Sequence, residues 1–246
     1  MENRAEVLID LGAIRENIKY LMGKSGKPAL AVVKADGYGH GLLPVAKSAL
    51  SAGASWLGVA LLEEASALRQ GGISAPIIAW LTPVTDDFES AINEDIDIAI
   101  PSLAHLEAIT EAAKSLGKCA RVHLEVDTGM SRGGALDEWS ELLGRAKNYQ
   151  DSGLITVIGI WSHFARADEL GHEFNKTQLE NFKNAVSEAK SVGITPEIIH
   201  LSNSAAAIND ADSHFDLLRL GIAIYGLSPD FSHMGSSEKL NLKPAM

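Results

Sequence analysis

The sequence predicts a (β/α)8 barrel of the TIM type, a fold of the α/β class. Eight short apolar segments alternate with segments of helical periodicity along the 246 residues, a length that suits one such barrel. No internal repeat of fixed period and no low-complexity segment interrupts this alternation. A doubly wound open sheet is the rival fold, because it also alternates strands with helices.

The predicted strands are apolar throughout, as expected for parallel strands that are buried on both faces. We predict barrel strands at 30–33, 56–60, 76–80, 96–100, 119–126, 155–161, 197–201 and 217–225. A further short strand is predicted at 7–9, ahead of the barrel. From residue 228 onward the chain turns polar, so 1–227 is predicted as the barrel domain and 228–246 as a linker.

The predicted helices fill the intervals between these strands, and several have recognisable ends. Asp10 can cap the first helix, and Gly71, Gly117 and Gly193 each follow a later one. Helical segments are predicted at 11–23, 44–50, 61–70, 86–93, 103–116, 137–148 and 174–192, with a short helical turn at 204–209.

Composition excludes several classes of protein. The formal net charge of −11 argues against nonspecific binding to nucleic acid or to anionic lipid. A single cysteine, Cys119, cannot form an internal disulfide, and this suits a reducing compartment. Residues 1–6 lack the apolar core of a secretory signal, and the longest apolar runs are too short to span a membrane. We therefore expect a cytoplasmic globular protein.

Lys34 is the first candidate for chemistry, because it ends the buried strand at 30–33. A lysine amine in partly apolar surroundings loses proton affinity, and the neutral amine can form a Schiff base with a carbonyl compound. A surface lysine at a strand end is the ordinary alternative. The glycine-rich turn that follows carries Tyr38, which is either a phosphate ligand or a surface tyrosine.

Polar residues follow other strands at the same predicted end of the barrel, where barrel enzymes carry their active sites. These residues are Glu125 and Arg132 after strand five, His163 after strand six, Asn203 and Ser204 after strand seven, and Arg219, Gly221 and Ile222 in strand eight. This clustering is stronger evidence for a site than any one of the residues.

The segments after strands seven and eight suit an anion. Ser204 opens a helical turn, and Gly221 lets backbone amides, including that of Ile222, approach a bound phosphate. Arg219 lies in an apolar strand and needs a buried partner, either a carboxylate or a ring nitrogen of a ligand. As simple alternatives, Ser204 is only a helix cap and Gly221 only a packing residue.

Six motifs resemble those of the alanine racemases, which use pyridoxal 5′-phosphate (PLP), and they occur in the order found in that family. The motifs are VLIDLGAIRENI, VKADGYGHG, VDTGMSRGG, GIWSHFARADE, HLSNSAA and RLGIAIYGLSP. The resemblance implies a PLP-binding barrel that interconverts L- and D-alanine, supplies D-alanine for peptidoglycan and forms a homodimer.

The resemblance also implies roles for the candidate residues. Lys34 would hold PLP as a Schiff base and act as one of two catalytic bases. His163 would support Arg219, which would bond the pyridine nitrogen, and Arg132 would bind near the phenolic oxygen and the substrate carboxylate. The residues around the cofactor phosphate would be Tyr38, Asn203, Ser204, Gly221 and Ile222.

Two departures from the family pattern affect these expectations. Glu125 stands where many members carry a carbamylated lysine, and we expect it to supply the negative charge and to orient Arg132. The family also has a C-terminal β-domain, which this chain is expected to lack, and the second base is a tyrosine of that domain in the partner subunit. Tyr20, Tyr149 and Tyr225 lie in predicted helices or strands and are poor replacements. The chain is therefore expected to bind PLP but to racemise poorly.

Two other functions stay open from the sequence. A single-domain PLP-binding barrel without catalytic activity has a similar length, but such proteins lack the extended ADGYGHG and DTGMSRGG motifs. A metal-dependent barrel hydrolase would use His123, His163 and His200. We favour no metal, because these histidines come from three different strands without an accompanying local pair of ligands.

Overall fold

The computed structural model describes residues 5–246, and in this range a single sheet of eight parallel strands is surrounded by helices. The strands are β1 (Ala29–Val32), β2 (Trp56–Val59), β3 (Ile77–Ala79), β4 (Asp97–Ile100), β5 (Ala120–Glu125), β6 (Ile155–Trp161), β7 (Ile198–His200) and β8 (Leu218–Leu220). The longer helices are α1 (Leu11–Ser25), α3 (Leu42–Ser51), α4 (Leu62–Gln70), α6 (Leu103–Leu116), α7 (Trp139–Asp151) and α8 (Glu173–Ser191). The short helical elements are α2 (Lys34–Tyr38), α5 (Phe88–Asn93), α9 (Ser204–Asn209) and α10 (Phe231–Met234).

Strand order confirms the barrel and excludes the open-sheet alternative. The hydrogen-bonded order is β7-β6-β5-β4-β3-β2-β1-β8, so each strand lies beside its neighbour in sequence and β8 returns to β1. The remaining gap is bridged by two backbone bonds of 3.0 Å, from Asp216 N–H to Ile199 O and from Arg219 N–H to Ser202 O. The carboxyl ends of all strands therefore meet around one opening.

The apolar residues form two separate cores. A large cluster fills the layer between the strands and the outer helices. A small cluster lies inside the barrel and includes Leu30, Trp56, Ile78, Ile158 and Trp161. None of the helices in residues 5–246 is long and apolar enough to cross a membrane.

Two predicted strands differ from the structure by more than two residues at an end. Residues 7–9 form no strand, because no strand within residues 5–246 lies beside them for pairing, and Val7 is 69% exposed. The last predicted strand, 217–225, ends at Leu220, and residues 222–225 form a 3-10 helix instead. Gly221, with φ −102° and ψ −105°, is where the chain turns out of the strand. Gly221, Ile222 and Tyr225 therefore lie outside strand eight, contrary to the prediction.

Residues 228–246, predicted as a linker, run back over the barrel rather than away from it. Leu242 and Ala245 are buried, and the Ala245 N–H donates to Tyr225 O at 3.1 Å. The buried side chain of Asn17 in α1 holds this segment. It donates to Ile224 O at 3.0 Å and Lys243 O at 2.8 Å, and it accepts from Lys243 N–H at 2.8 Å.

Asn17→Ala is expected to lower the free energy of unfolding by about 3 kcal/mol, because it leaves several polar backbone groups of the interface without partners. The measurement is chemical denaturation of the wild-type chain and the variant. Lys19→Ala changes an exposed residue of the same helix and should cost less than about 0.5 kcal/mol. Equal effects of the two changes would contradict this role of Asn17.

Candidate functional site

A cavity of about 620 Å³ opens at the carboxyl ends of the strands. Its wall contains the ten residues that the sequence predicts as a site at the strand ends: Lys34, Tyr38, Glu125, Arg132, His163, Asn203, Ser204, Arg219, Gly221 and Ile222. These residues come from five of the eight strand ends, and the barrel brings them to one place. The roles assigned to the individual residues stay predictions.

Lys34 begins α2, which is a single turn of left-handed helix. Ala35, Asp36 and Tyr38 have φ of 52°, 53° and 54°, a conformation that costs about 1–2 kcal/mol for each residue with a β-carbon. Gly37 adopts it without that cost, and an added β-carbon there would lie 3.1 Å from the Val45 side chain. The turn places Tyr38 back over the end of β1, with its ring centroid 6.0 Å from Lys34 Nζ.

Three unused donors lie beside one another at the ends of β7 and β8. The Ser204 hydroxyl oxygen accepts from Gly221 N–H at 2.9 Å and from Ala223 N–H at 3.4 Å. Its own O–H, the Ile222 N–H and the Tyr38 O–H have no acceptor among the described residues. A β-carbon on Gly221 would lie 3.0 Å from Tyr38 Oη, so glycine keeps this region open. The arrangement suits an anion with several oxygen atoms.

Asn203 lies next to Ser204, and its side chain bonds to the backbone of the same region. It is the N-cap of α9, and its side-chain oxygen accepts from Ala206 N–H at 3.1 Å. This bond fixes the start of α9 and with it Ser204, the first residue of the helix. Asn203 therefore fixes the backbone next to Ser204, and its place around the cofactor phosphate stays a prediction.

Arg219 crosses the inside of the barrel with its guanidinium almost fully buried. Nη1 donates to His200 O at 2.8 Å, and Nη2 donates to Ser162 O at 2.7 Å and Leu201 O at 3.1 Å. Burial lowers the pKa of Arg219 to about 9, while nearby Glu125 acts in the opposite direction, so the group is a cation at neutral pH. Its Nε–H has no acceptor among the described residues, which leaves one donor for a ligand.

Two histidines are further acceptors for the guanidinium, and Nη2 shares its two protons among His163 Nδ1 and the two backbone oxygens. Nη2 lies 3.2 Å from His163 Nδ1, and Nη1 lies 3.2 Å from His200 Nδ1. Because a guanidinium has only donors, each Nδ1 must be the acceptor and each ring carries its proton on Nε2. Burial and the charge of Arg219 lower the pKa of His163 to about 3 and that of His200 well below its ordinary value.

The chain of hydrogen bonds continues from His200 to His123 inside the barrel. His200 Nε2 lies 3.0 Å from His123 Nδ1, so His200 is the donor and His123 carries its proton on Nε2. Burial lowers the pKa of His123 to about 3. A β-carbon at Gly159, the partner of His123 across β5 and β6, would overlap the His123 ring. Glycine at this position makes room for the imidazole.

Sequence reasoning missed the contacts of Trp161 and His200. The Trp161 ring lies 5.0 Å from the central guanidinium carbon of Arg219 and stacks on His200 with an interplanar angle of 8°. An aromatic ring against a buried cation stabilises it electrostatically. The available signal was the position of Trp161 at the end of strand six, next to the predicted site.

Glu125 ends β5 and faces the cavity near two arginines. Burial raises the pKa of its carboxyl group to about 7, whereas the charges of Arg219 and Arg132 oppose that shift and Asp127 adds to it. Among the described residues, Glu125 and Arg132 share neither a hydrogen bond nor an ion pair. Both line the cavity, and the Arg132 side chain is exposed. The two groups therefore interact here only through their charges.

The three histidines of the hydrolase alternative do not form one cluster. His123 and His200 bond to each other, whereas His163 bonds to a different nitrogen of Arg219. Within residues 5–246 no group of three or more histidine, cysteine, aspartate or glutamate residues is arranged to hold a metal ion.

Comparison with known proteins gives a consistent result. The family model described as "Alanine racemase, N-terminal domain" matches residues 9–229. A protein named alanine racemase from Salinispora tropica is 46% identical over 244 residues, which cover 99% of this chain and 64% of that protein. The chain thus spans about two thirds of the length of this relative.

Solved structures agree with the sequence relatives. The alanine racemase from D-cycloserine-producing Streptomyces lavendulae superposes with a TM-score of 0.96 at 41% identity, covering 100% of this chain and 65% of that one. The alanine racemase from Bacillus anthracis with bound L-Ala-P has a TM-score of 0.87 at 34% identity, covering 100% and 63% of the two chains.

Glu125 is expected to make stability depend on pH. Its folded pKa of about 7 exceeds the ordinary value of 4.5, so the folded chain binds the proton more tightly than the unfolded chain. The contribution of this group to stability is therefore fully present below pH 4.5 and is lost as the pH rises through 7. Relative to Glu125→Gln, the wild-type chain should lose about 2 kcal/mol between pH 5 and pH 8.

Chemical denaturation of both chains at the two pH values measures this difference. Asp97, whose pKa burial raises to about 6, is present in both chains, so its contribution cancels. A difference between wild type and variant that does not change with pH would show that Glu125 titrates like a solvated carboxylate.

Proposed function

Because this chain belongs to the family of alanine racemase N-terminal domains, we propose that it binds pyridoxal 5′-phosphate and contributes to the interconversion of L- and D-alanine. D-Alanine is a component of peptidoglycan, so the proposed role is its supply for the cell wall. The activity and substrate of a full-length relative are part of this proposal, because the chain spans 64% of that length.

One observation carries the proposal: the lysine, the unused donors and the guanidinium Nε–H lie in the wall of a single cavity. PLP combines an aldehyde, a phosphate and a pyridine nitrogen, and each of these groups has a matching partner. Lys34 would hold the aldehyde carbon through its amine. Tyr38, Ser204 and Ile222 would bind the phosphate with their free donors, and Gly221 leaves the space.

Arg219 would donate its Nε–H to the pyridine nitrogen. The other guanidinium protons are already bonded to His163, His200 and backbone oxygens, which fixes the orientation of the group. An arginine keeps its proton at neutral pH, so it can bond the nitrogen without protonating it. By leaving this nitrogen unprotonated, Arg219 would limit electron withdrawal by the ring and so favour return of a proton to Cα over competing reactions.

Bound PLP withdraws electrons from the Cα of an amino acid and so makes its proton more acidic. Lys34 would move this proton on one face of Cα. Racemisation also needs an acid or base on the opposite face. The Tyr225 hydroxyl, at 2.9 Å from Val32 O, is already a donor to the backbone. Neither Tyr20 nor Tyr149 lines the cavity, so the tyrosines outside it do not supply the second group.

Arg132 would bind the carboxylate of the substrate, since its planar guanidinium is exposed in the cavity and suits an anion. In its ionised form, Glu125 would balance the positive charge of Arg132 and Arg219. Glu125 and Arg132 belong to the end of β5 and the loop that follows it, whereas the proposed phosphate-binding donors follow β1, β7 and β8, so both would act on the substrate more than on the cofactor. A cytoplasmic location and a homodimer of the kind that the family resemblance implies complete the proposal.

Lys34→Ala is expected to abolish covalent binding of PLP, because no other amine would replace Lys34 in the cavity. The wild-type chain mixed with PLP should show the absorbance band of lysine-bound pyridoxal, and borohydride should fix the label on a peptide that contains Lys34. Lys47→Ala, a change at an exposed lysine of α3, should behave like wild type. Equal labelling of wild type and Lys34→Ala would refute the proposal.

Formation of D-alanine from L-alanine separates a racemase from a barrel that only carries the cofactor. The 246-residue chain is expected to racemise slowly, because one face of Cα lacks an assigned acid or base. A chain that binds PLP at Lys34 but forms no D-alanine, even with a C-terminal domain of a relative supplied, would favour the carrier.

A further inference from the structure

Glu64 lies outside the cavity, but its carboxylate reaches the backbone next to Lys34. Oε1 accepts from Ala35 N–H at 2.6 Å, and Oε2 accepts from Ala60 N–H at 2.8 Å and Leu61 N–H at 3.1 Å. Ala60 and Leu61 connect β2 to α4, in whose first turn Glu64 lies. One side chain therefore ties the residue after Lys34 to the end of the neighbouring strand.

The left-handed turn α2 needs such restraints. Three of its residues have positive φ and a β-carbon, and strained backbone persists only where its surroundings hold it. Asp36 restrains the far end, since its carboxylate accepts from Leu42 N–H at 2.7 Å. Gly37 is packed against Val45. Glu64 restrains the near end, directly after Lys34, and it comes from the neighbouring unit formed by β2 and α4.

The position of Lys34 follows from these contacts. Val33 N–H still donates to Gly58 O at 2.9 Å, so β1 is held on β2 up to this residue. Both chain neighbours of Lys34 are thus held by hydrogen bonds: Val33 N–H by Gly58 O, and Ala35 N–H by the Glu64 carboxylate. Tyr38 is fixed differently, because its ring stacks on Tyr225 with centroids 4.8 Å apart.

We propose that Glu64 is a positioning residue for Lys34. Its carboxylate fixes the backbone where the chain leaves β1, and this directs the lysine amine into the cavity. The proposal rests on the proposed function for the identity of the reacting aldehyde. It predicts that loss of the carboxylate affects the reaction of Lys34 and leaves the phosphate-binding donors in place.

The test compares Glu64→Gln with Glu63→Gln, a change at the adjacent exposed glutamate of the same helix. Two ligands are used: PLP, which reacts with the lysine, and pyridoxine 5′-phosphate, which carries an alcohol in place of the aldehyde and cannot react. Glu64→Gln should slow capture of PLP at least tenfold and change the affinity for pyridoxine 5′-phosphate less than twofold. Glu63→Gln should change neither.

Amide hydrogen exchange in the absence of any ligand gives a second readout. Glu64→Gln should speed exchange in the peptide 33–41 about tenfold, while the peptide 155–161 from β6 stays protected. Unchanged capture with unchanged exchange at 33–41 would overturn the proposal. A parallel loss of affinity for both ligands would also overturn it, because the role would then be structural only. A wild-type chain that captures no PLP would refute the proposed function, while exchange at 33–41 would still decide the role of Glu64.

Discussion

The buried guanidinium of Arg219 is the constraint on which the rest of the site depends. A cation inside a barrel is stable only when its protons are matched by acceptors. Three backbone oxygens from the ends of β6 and β7 and two imidazole nitrogens share the four protons on Nη1 and Nη2, and the Nε–H is left for a ligand. Because the arginine donates every one of these bonds, it also decides where the protons of His163 and His200 lie. Arg219, a residue of β8, thus fixes which groups donate and which accept hydrogen bonds inside the barrel.

The fixed arginine and the restrained lysine lie on adjacent strands, since β8 pairs with β1. Arg219 is held by hydrogen bonds within the barrel, whereas Lys34 is held by a strained turn whose supports lie outside it. The two groups are thereby fixed independently of one another. A ligand that reaches both must fit the distance that the closed barrel imposes, and this rigidity favours one orientation of a planar ring.

Much of the fold could be predicted because buried parallel strands are continuous apolar runs and their helices have clear caps. Helix 103–116 and strand 155–161 agree with the prediction to the residue. The strand predicted at 7–9 failed because β-propensity is expressed only with a pairing partner. The end of β8 failed because residues 222–225 are as apolar as a strand, and only the backbone of Gly221 reverses the chain there.

The site could be predicted as a set of residues but not as a network. Strand ends brought every candidate to one cavity, which follows from the parallel barrel alone. The hydrogen bonds of His200 and the triple contact of Glu64 join residues far apart in sequence, so no local pattern indicates them. Arg219 was identifiable because an arginine in an apolar strand needs a partner, but the acceptors are mostly backbone oxygens, which every residue has.

Nitrogen-15 NMR of the histidine rings tests the central role of Arg219 most directly, because it reports which ring nitrogen carries the proton. His163 and His200 are expected to stay neutral from pH 5 to pH 8, each with its proton on Nε2 and a bare Nδ1. A proton on Nδ1 of either ring, or titration of either ring within this range, would contradict this role of Arg219.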